Sequence, residues 1–214
     1  MLDDFISCNR KVYYRLNKPE QAVQNKEMVM GEIVHSAIEK YWNNEIFSQG
    51  YLYGEMKKRL PDESMAFAST ALENYHKHFQ RFLADDDKVE MRFKIPWEKD
   101  VFIVGKIDRI SSGNVFDWKT ARKPLTNVSK SIQFILYNWA YKKTYNSEPS
   151  GVYYVALTTG EMVKYYKDGV SDATLFDEVI PQAIRVIRSK EYLRNGIFRH
   201  QCFRCPYSKI CLEE

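Results

Sequence analysis

The sequence predicts an α/β fold with a mixed central sheet flanked by helices. Three observations lead to it. Apolar residues recur at helical spacing through the first third, the middle switches to short runs of β-branched and aromatic residues, and the core then reads helix, three strands, helix, two strands. Composition agrees: 214 residues, 44% hydrophobic and 28% charged with 9 Gly and 7 Pro, suit one domain able to bury a core without disulfides.

Taken in order, Ile33, Val34, Ala37, Ile38, Tyr41 and Trp42 mark one face of a helix from about Met28 to Trp42. Phe67, Ala71, Leu72, Tyr75 and Phe79 do the same for a helix from about Met65 to Leu83, which Asp85, Asp86 and Asp87 should end in a solvated turn. Val89 to Trp97, Val101 to Ile110 and Val115 to Trp118 read as strands, the last two joined by a turn at Ser111-Ser112-Gly113-Asn114. A helix over about Ser131 to Tyr145 separates these from two further strands, Gly151 to Leu157 and Met162 to Tyr166, which a Thr-Thr-Gly turn connects. An amphipathic helix from about Ala173 to Leu193 leads into a cysteine-rich tail. The expected organisation is one domain over 1–214, with a helical part at about 1–87, a core at about 88–170 and a C-terminal helix and tail at about 171–214.

No apolar run reaches membrane-spanning length, and Met1-Leu2-Asp3-Asp4-Phe5 lacks the basic and apolar regions of a signal peptide, so the expected location is the cytoplasm, with no membrane partner. A formal charge of +4 permits a nucleic-acid partner without requiring one. Cys8 stands alone near the start, whereas Cys202, Cys205 and Cys211 crowd the end. In a reducing compartment such a grouping suits metal ligation or redox chemistry better than disulfides. Four thiolates satisfy either zinc or an iron–sulfur cluster.

The chemistry is concentrated in Gly105-Lys106-Ile107-Asp108-Arg109 and Asp117-Trp118-Lys119. If the two strands pair symmetrically about Ser112-Gly113, Asp108 faces Asp117 directly. Opposed Cβ atoms are then about 5 Å apart, and like charges there are destabilising. A divalent cation offsets that repulsion, because hard cations favour clustered carboxylate oxygens. Lys119, two residues beyond Asp117, projects from the same face. A metal that activates water beside an ammonium that orients it suits phosphodiester hydrolysis. The alternative is a solvated pair of aspartates near a turn.

Gly-x-Ile-Asp-Arg-Ile followed by a strand ending Asp-Trp-Lys-Thr resembles the core of the PD-(D/E)XK nucleases, in the RecB- and AddB-like branch that includes CRISPR-associated exonucleases. Three distant segments resemble the same branch: Cys8-Asn9-Arg10-Lys11-Val12-Tyr13-Tyr14-Arg15, where proline usually follows the cysteine; Gly31-Glu32-Ile33-Val34-His35; and Cys202-x-x-Cys205-Pro206-Tyr207-x-x-x-Cys211. The resemblance implies a restriction-endonuclease-like core. It implies Asp108, Asp117 and His35 as ligands of Mg2+ or Mn2+, Lys119 as the catalytic lysine, and Cys8, Cys202, Cys205 and Cys211 as ligands of a [4Fe–4S] cluster rather than zinc. Glu90 resembles an accessory acidic residue. Gln133 and Tyr137 resemble a Gln-x-x-x-Tyr motif whose i,i+4 spacing puts both on one helix face, for contact with DNA or support of the site.

The implied activity is a metal-dependent exonuclease on single-stranded DNA or DNA ends. The alternatives are a DNA-end processing subunit working with recombination or CRISPR adaptation proteins, and a catalytically silent DNA-binding module. The chain contains no helicase P-loop, so unwinding would fall to a partner helicase. Lys106, Arg109, Lys119, Arg122, Lys123 and Lys130, and farther on Arg185, Arg188, Lys190, Arg194, Arg199, Arg204 and Lys209, could follow a nucleic-acid backbone. Tyr13, Tyr14 and Phe203 could stack on unpaired bases, while His76, His78 and His200 read as structural.

Overall fold

The computed structural model describes residues 2–42, 49–79, 87–121, 125, 127–197 and 201–213. Along the chain run helices α1 (Leu2–Ser7), α2 (Asn9–Asn17), α3 (Lys26–Trp42), α4 (Gln49–Arg59) and α5 (Asp62–Asn74), then strands β1 (Lys88–Glu98), β2 (Val101–Ser111) and β3 (Asn114–Lys119). Helix α6 (Ile132–Tyr145), strands β4 (Gly151–Ala156) and β5 (Glu161–Lys164), and helices α7 (Gly169–Ala173), α8 (Ile180–Ser189) and α9 (Ser208–Glu213) follow. The chain divides into two compact units, one spanning Lys26–Lys167 and one made from the ends, Met1–Asn25 with Asp168–Glu214.

The larger unit holds a five-stranded sheet in sequence order, antiparallel except where β3 and β4 run parallel. A parallel pair needs a long crossover, and α6 supplies it. The β2–β3 hairpin turns on Ser112 and Gly113, with φ of 47° and 76°. Left-handed backbone at both central residues is what a two-residue turn needs to match the strand twist. It sets the register Arg109↔Phe116, Ile110↔Val115 and Ser111↔Asn114.

Helix α3 buries Met30, Ile33, Val34, Ala37 and Ile38, and α5 buries Ala68, Ala71 and Leu72, in one cluster with Phe116, Trp118, Val155 and Leu157. Trp118 meets Tyr75 edge-on at 5.5 Å and stacks on Phe116 at 5.8 Å, an arrangement suited to aromatic quadrupoles. Alternation along β3 sends Asp117 and Lys119 the other way, toward α6. That helix ends at Asn146, in left-handed conformation (φ 52°), a residue type that tolerates it.

Two expected helices differ in their ends. The one expected to reach Leu83 leaves regular geometry after Asn74 for a wide turn at Tyr75–Phe79, and residues 80–83 lie outside the described residues. The one expected from Ala173 to Leu193 is instead α7, a wide turn at Thr174–Val179 and α8, which stops where Lys190 turns left-handed (φ 59°). Pro181 accounts for the wide turn, since it lacks an N–H and its ring crowds the carbonyl four residues back. Asp87 is not solvated: its side chain is buried against Arg109, while Asp85 and Asp86 lie outside the described residues. No helix among the described residues is long and apolar enough to cross a membrane.

Candidate active site

The hairpin register, carried one step beyond its last ladder pair, sets Asp108 opposite Asp117. Across the other edge of β2, Val89↔Arg109 and Met91↔Ile107 bracket Glu90 and set it opposite Asp108. Three carboxylates therefore form a row across β1, β2 and β3. Asp108 is 5% exposed and Asp117 fully buried, so the pair is not solvated. Glu90 sits in left-handed backbone (φ 53°) inside a strand, a conformation costing about 1–2 kcal/mol for a non-glycine residue. Such strain concentrates at functional sites.

Each carboxylate has different company. Asp108 accepts the Trp118 backbone N–H at 2.7 Å, taking the place of a ladder carbonyl. Asp117 pairs with Lys119 at 2.8 Å and accepts from the Gln133 amide at 2.8 Å. The same amide donates to the Tyr137 hydroxyl at 2.7 Å, and that hydroxyl donates to the Lys106 carbonyl at 2.8 Å. Tyr137 is buried and Gln133 half-buried, and together they brace Asp117. Glu90 forms an ion pair with Lys106.

His35, from α3, places Nε2 2.9 Å from the Trp118 carbonyl. Donation from Nε2 turns Nδ1 toward Asp108 Oδ1 at 3.6 Å and Glu90 Oε1 at 4.0 Å. A histidine whose second nitrogen donates to a backbone carbonyl is oriented as metal-binding histidines are. One ligand atom each from His35, Glu90 and Asp108 lies within 4.8 Å of the others, the one such His/Cys/Asp/Glu group among the described residues. This donor set fits a divalent cation. Asp117 stands beside the group, on its lysine side.

Burial, opposed by Lys119 and reinforced by Asp108, pushes the Asp117 carboxyl up to about 6. Burial works against the Lys119 ammonium, but the Asp117 and Asp108 charges outweigh it and hold the group above its ordinary value. Burial and the same two aspartates raise Tyr137 too, keeping it a neutral donor.

Among the expected basic residues, Lys106 is exposed, but Arg109 is 1% exposed and ion-paired with Asp87. It is a structural cation and cannot track a nucleic-acid backbone. The sequence signal for this pair, an Asp run just before β1, resembles an ordinary solvated turn. Arg122, Lys123, Arg199 and His200 lie outside the described residues, as does the side chain of Arg204. Arg185, Arg188, Lys190 and Lys209 are exposed, and Arg194 half-buried. Tyr14 is buried, stacked on Tyr207 at 5.6 Å, and so is no base-stacking platform; Phe203 is exposed.

The second expected site lies within the terminal unit. Cys8 precedes α2, Cys202 and Cys205 flank a single 3-10 turn, and Cys211 lies in α9. All four are free thiols lining one cavity of about 150 Å³. Gly196 is required there: a Cβ would lie 2.8 Å from Cys8 Cβ and 3.0 Å from its sulfur. Burial, with Cys8 and Cys211 adding to it, raises the Cys202 thiol. Burial also raises Cys205, against the opposing pull of the Tyr207 backbone and Lys11. A cation held among the sulfurs would favour their thiolate forms.

A helix-flanked mixed sheet whose central strands gather acidic residues and a lysine defines a restriction-endonuclease-like α/β fold. The chain belongs to the PD-(D/E)XK nuclease superfamily, whose family model matches residues 1–212. Among solved structures, a candidate exonuclease of Eubacterium rectale is similar in fold, with TM-score 0.60 and 15% identity over 90% of this chain and 82% of that one. The structure of SSO0001 aligns over 99% of this chain and 96% of that one at 14% identity, with TM-score 0.39. No curated protein matches the sequence.

Proposed function

We propose that this nuclease-superfamily chain hydrolyses DNA as a divalent-metal-dependent exonuclease on single strands or ends. The observation that carries the reading is the row of Glu90, Asp108 and Asp117, with His35 Nδ1 turned into it and Lys119 beside it. Buried like charges in such a row are costly unless a cation is shared among them. Bound there, Mg2+ or Mn2+ supplies Lewis acidity to a phosphate oxygen and lowers the pKa of a coordinated water. Asp108, His35 and Glu90 would hold the ion, with Asp117 available through its unshared electron pairs. Lys119 would hold its proton, place a water for in-line attack and offset charge on the phosphate. Gln133 and Tyr137 would keep Asp117 aimed. A binding module would have no use for this arrangement.

In the terminal unit the four thiols would hold a [4Fe–4S] cluster. A zinc ion with sulfurs at about 2.3 Å draws them to under about 4 Å of one another. The four thiols line one cavity of about 150 Å³, which has room for the larger cluster.

The test is digestion of end-labelled single- and double-stranded DNA by anaerobically purified protein in Mn2+, Mg2+ or EDTA, beside Lys119→Ala. Metal-dependent degradation from an end, at least about a hundredfold slower in the variant, is expected. No degradation by folded protein, or equal rates in the variant, would overturn the reading.

A further inference from the structure

Beyond the carboxylate row, the β1–β2 hairpin runs on as an arm with two unlike faces. One packs Phe93, Ile95 and Ile103 inward; the other exposes Arg92, Lys94, Phe102, Val104 and Lys106. Arg92 and Lys106 are directly opposed across the ladder, and Lys94 opposes Val104. Opposed like charges cost stability unless something anionic sits between them. Glu90 answers Lys106, but Arg92 has no ion pair among the described residues. The Lys94 ammonium lies 4.4 Å from the Phe102 ring centroid, and that ring is 48% exposed. The face thus combines spaced cations with an accessible aromatic plane, and Lys106 joins it directly to the carboxylate row.

We propose that this face of the arm is the track along which a single strand of the nucleic acid reaches the site, with Arg92, Lys94 and Lys106 on phosphates and Phe102 stacked on a base. The inference rests on the nuclease reading above and specifies where its substrate lies. Charged grooves beside aromatic platforms are how proteins hold single strands without reading sequence. The opposed cations are then stabilised by the phosphate between them.

The test is fluorescence-anisotropy binding of a labelled 20-nucleotide single strand and of a blunt duplex, in Ca2+ so that cleavage does not intrude, over a range of salt. Wild type is compared with Arg92→Gln/Lys94→Gln and with Phe102→Ala, all at solvent-facing positions. The double variant should bind the single strand about tenfold or more weakly, and its log–log salt slope should fall by about 1.4, or about 0.7 for each lost phosphate contact. Phe102→Ala should weaken single-strand binding about tenfold, as loss of one base stack does, and leave the duplex unaffected. Unchanged affinity and slope in the variants, beside a wild type that degrades DNA, would overturn the track while leaving the nuclease intact. Equal losses on single strand and duplex with no effect of Phe102→Ala would also overturn it, leaving a general basic patch. A wild type that neither binds nor degrades DNA would overturn both.

Discussion

The carboxylate row and the cysteine cavity are built in opposite ways. In the row, regular strands fix every group. Register decides which carboxylates face each other, alternation sends Lys119 to the side of Asp117, and a helix histidine closes the set through a backbone carbonyl. Around the cavity, the cysteines sit on a strand-like cap residue, at a single 3-10 turn and in a six-residue helix. Isolated helices that short are marginal in water. On the proposed reading, the scaffold makes the row ready for an ion, whereas the cysteines would need an ion or cluster to hold their scaffold together. Losing the ligand should therefore cost the first site chemistry and the second site structure.

Asp108→Asn gives the largest expected effect. It should lower metal-dependent cleavage by about a thousandfold, in the range that lost electrostatic or metal chemistry produces. Folding should survive, and metal-free stability should hold or rise, because one of three neighbouring like charges is gone. Rates and melting curves in EDTA check both parts. A variant that unfolds would break the comparison, making Asp108 a structural residue like the cysteines.

Cys205→Ser should behave in the reverse way. Visible absorbance should disappear and the melting temperature fall by about 10 °C or more, because ligand-binding energy in such sites is folding energy. Cleavage per folded molecule, measured at low temperature, should remain within a few-fold of wild type. A colourless variant with unchanged melting would make the cavity incidental.

A smaller effect sharpens the account of Asp117. Its carboxyl lies at about 6 in the folded, metal-free chain against an ordinary 3.8. Between those values the folded state binds more protons than the unfolded, so this group's stability contribution is complete at low pH and lost as pH rises through about 6. In EDTA, the stability of wild type relative to Asp117→Asn should fall from pH 4 to pH 6.5 in urea unfolding. A flat difference would show that burial does not govern this carboxyl.

How much of this was legible in the sequence follows the same division. The hairpin could be read because its signals are local: a Ser-Gly turn, period-two alternation and a symmetric register place Asp108 opposite Asp117 without tertiary information. The helix–strand order and the mixed sheet follow from the same short-range periodicities. The convergence of Glu90 and His35 could not be read that way. Glu90 depends on a left-handed kink and His35 on how α3 lies against β3, both set by packing. The Asp87–Arg109 pair is hidden for the related reason that exposure is a tertiary property. The break before Pro181 went unread because amphipathic periodicity runs straight through it. The cysteines are the inverse case: their spacing points to a shared ligand, while the short elements that carry them leave almost no periodic signal.

The proposed chemistry requires one ion at the carboxylate row. Mn2+ titration followed by electron paramagnetic resonance, on wild type, Asp108→Asn and His35→Ala, measures that ion without relying on cleavage. One Mn2+ per chain or more, bound about 10–100-fold more weakly in His35→Ala and not detectably at that site in Asp108→Asn, is the predicted result. Equal Mn2+ binding by all three proteins would contradict it and remove the basis for placing the chemistry at these residues.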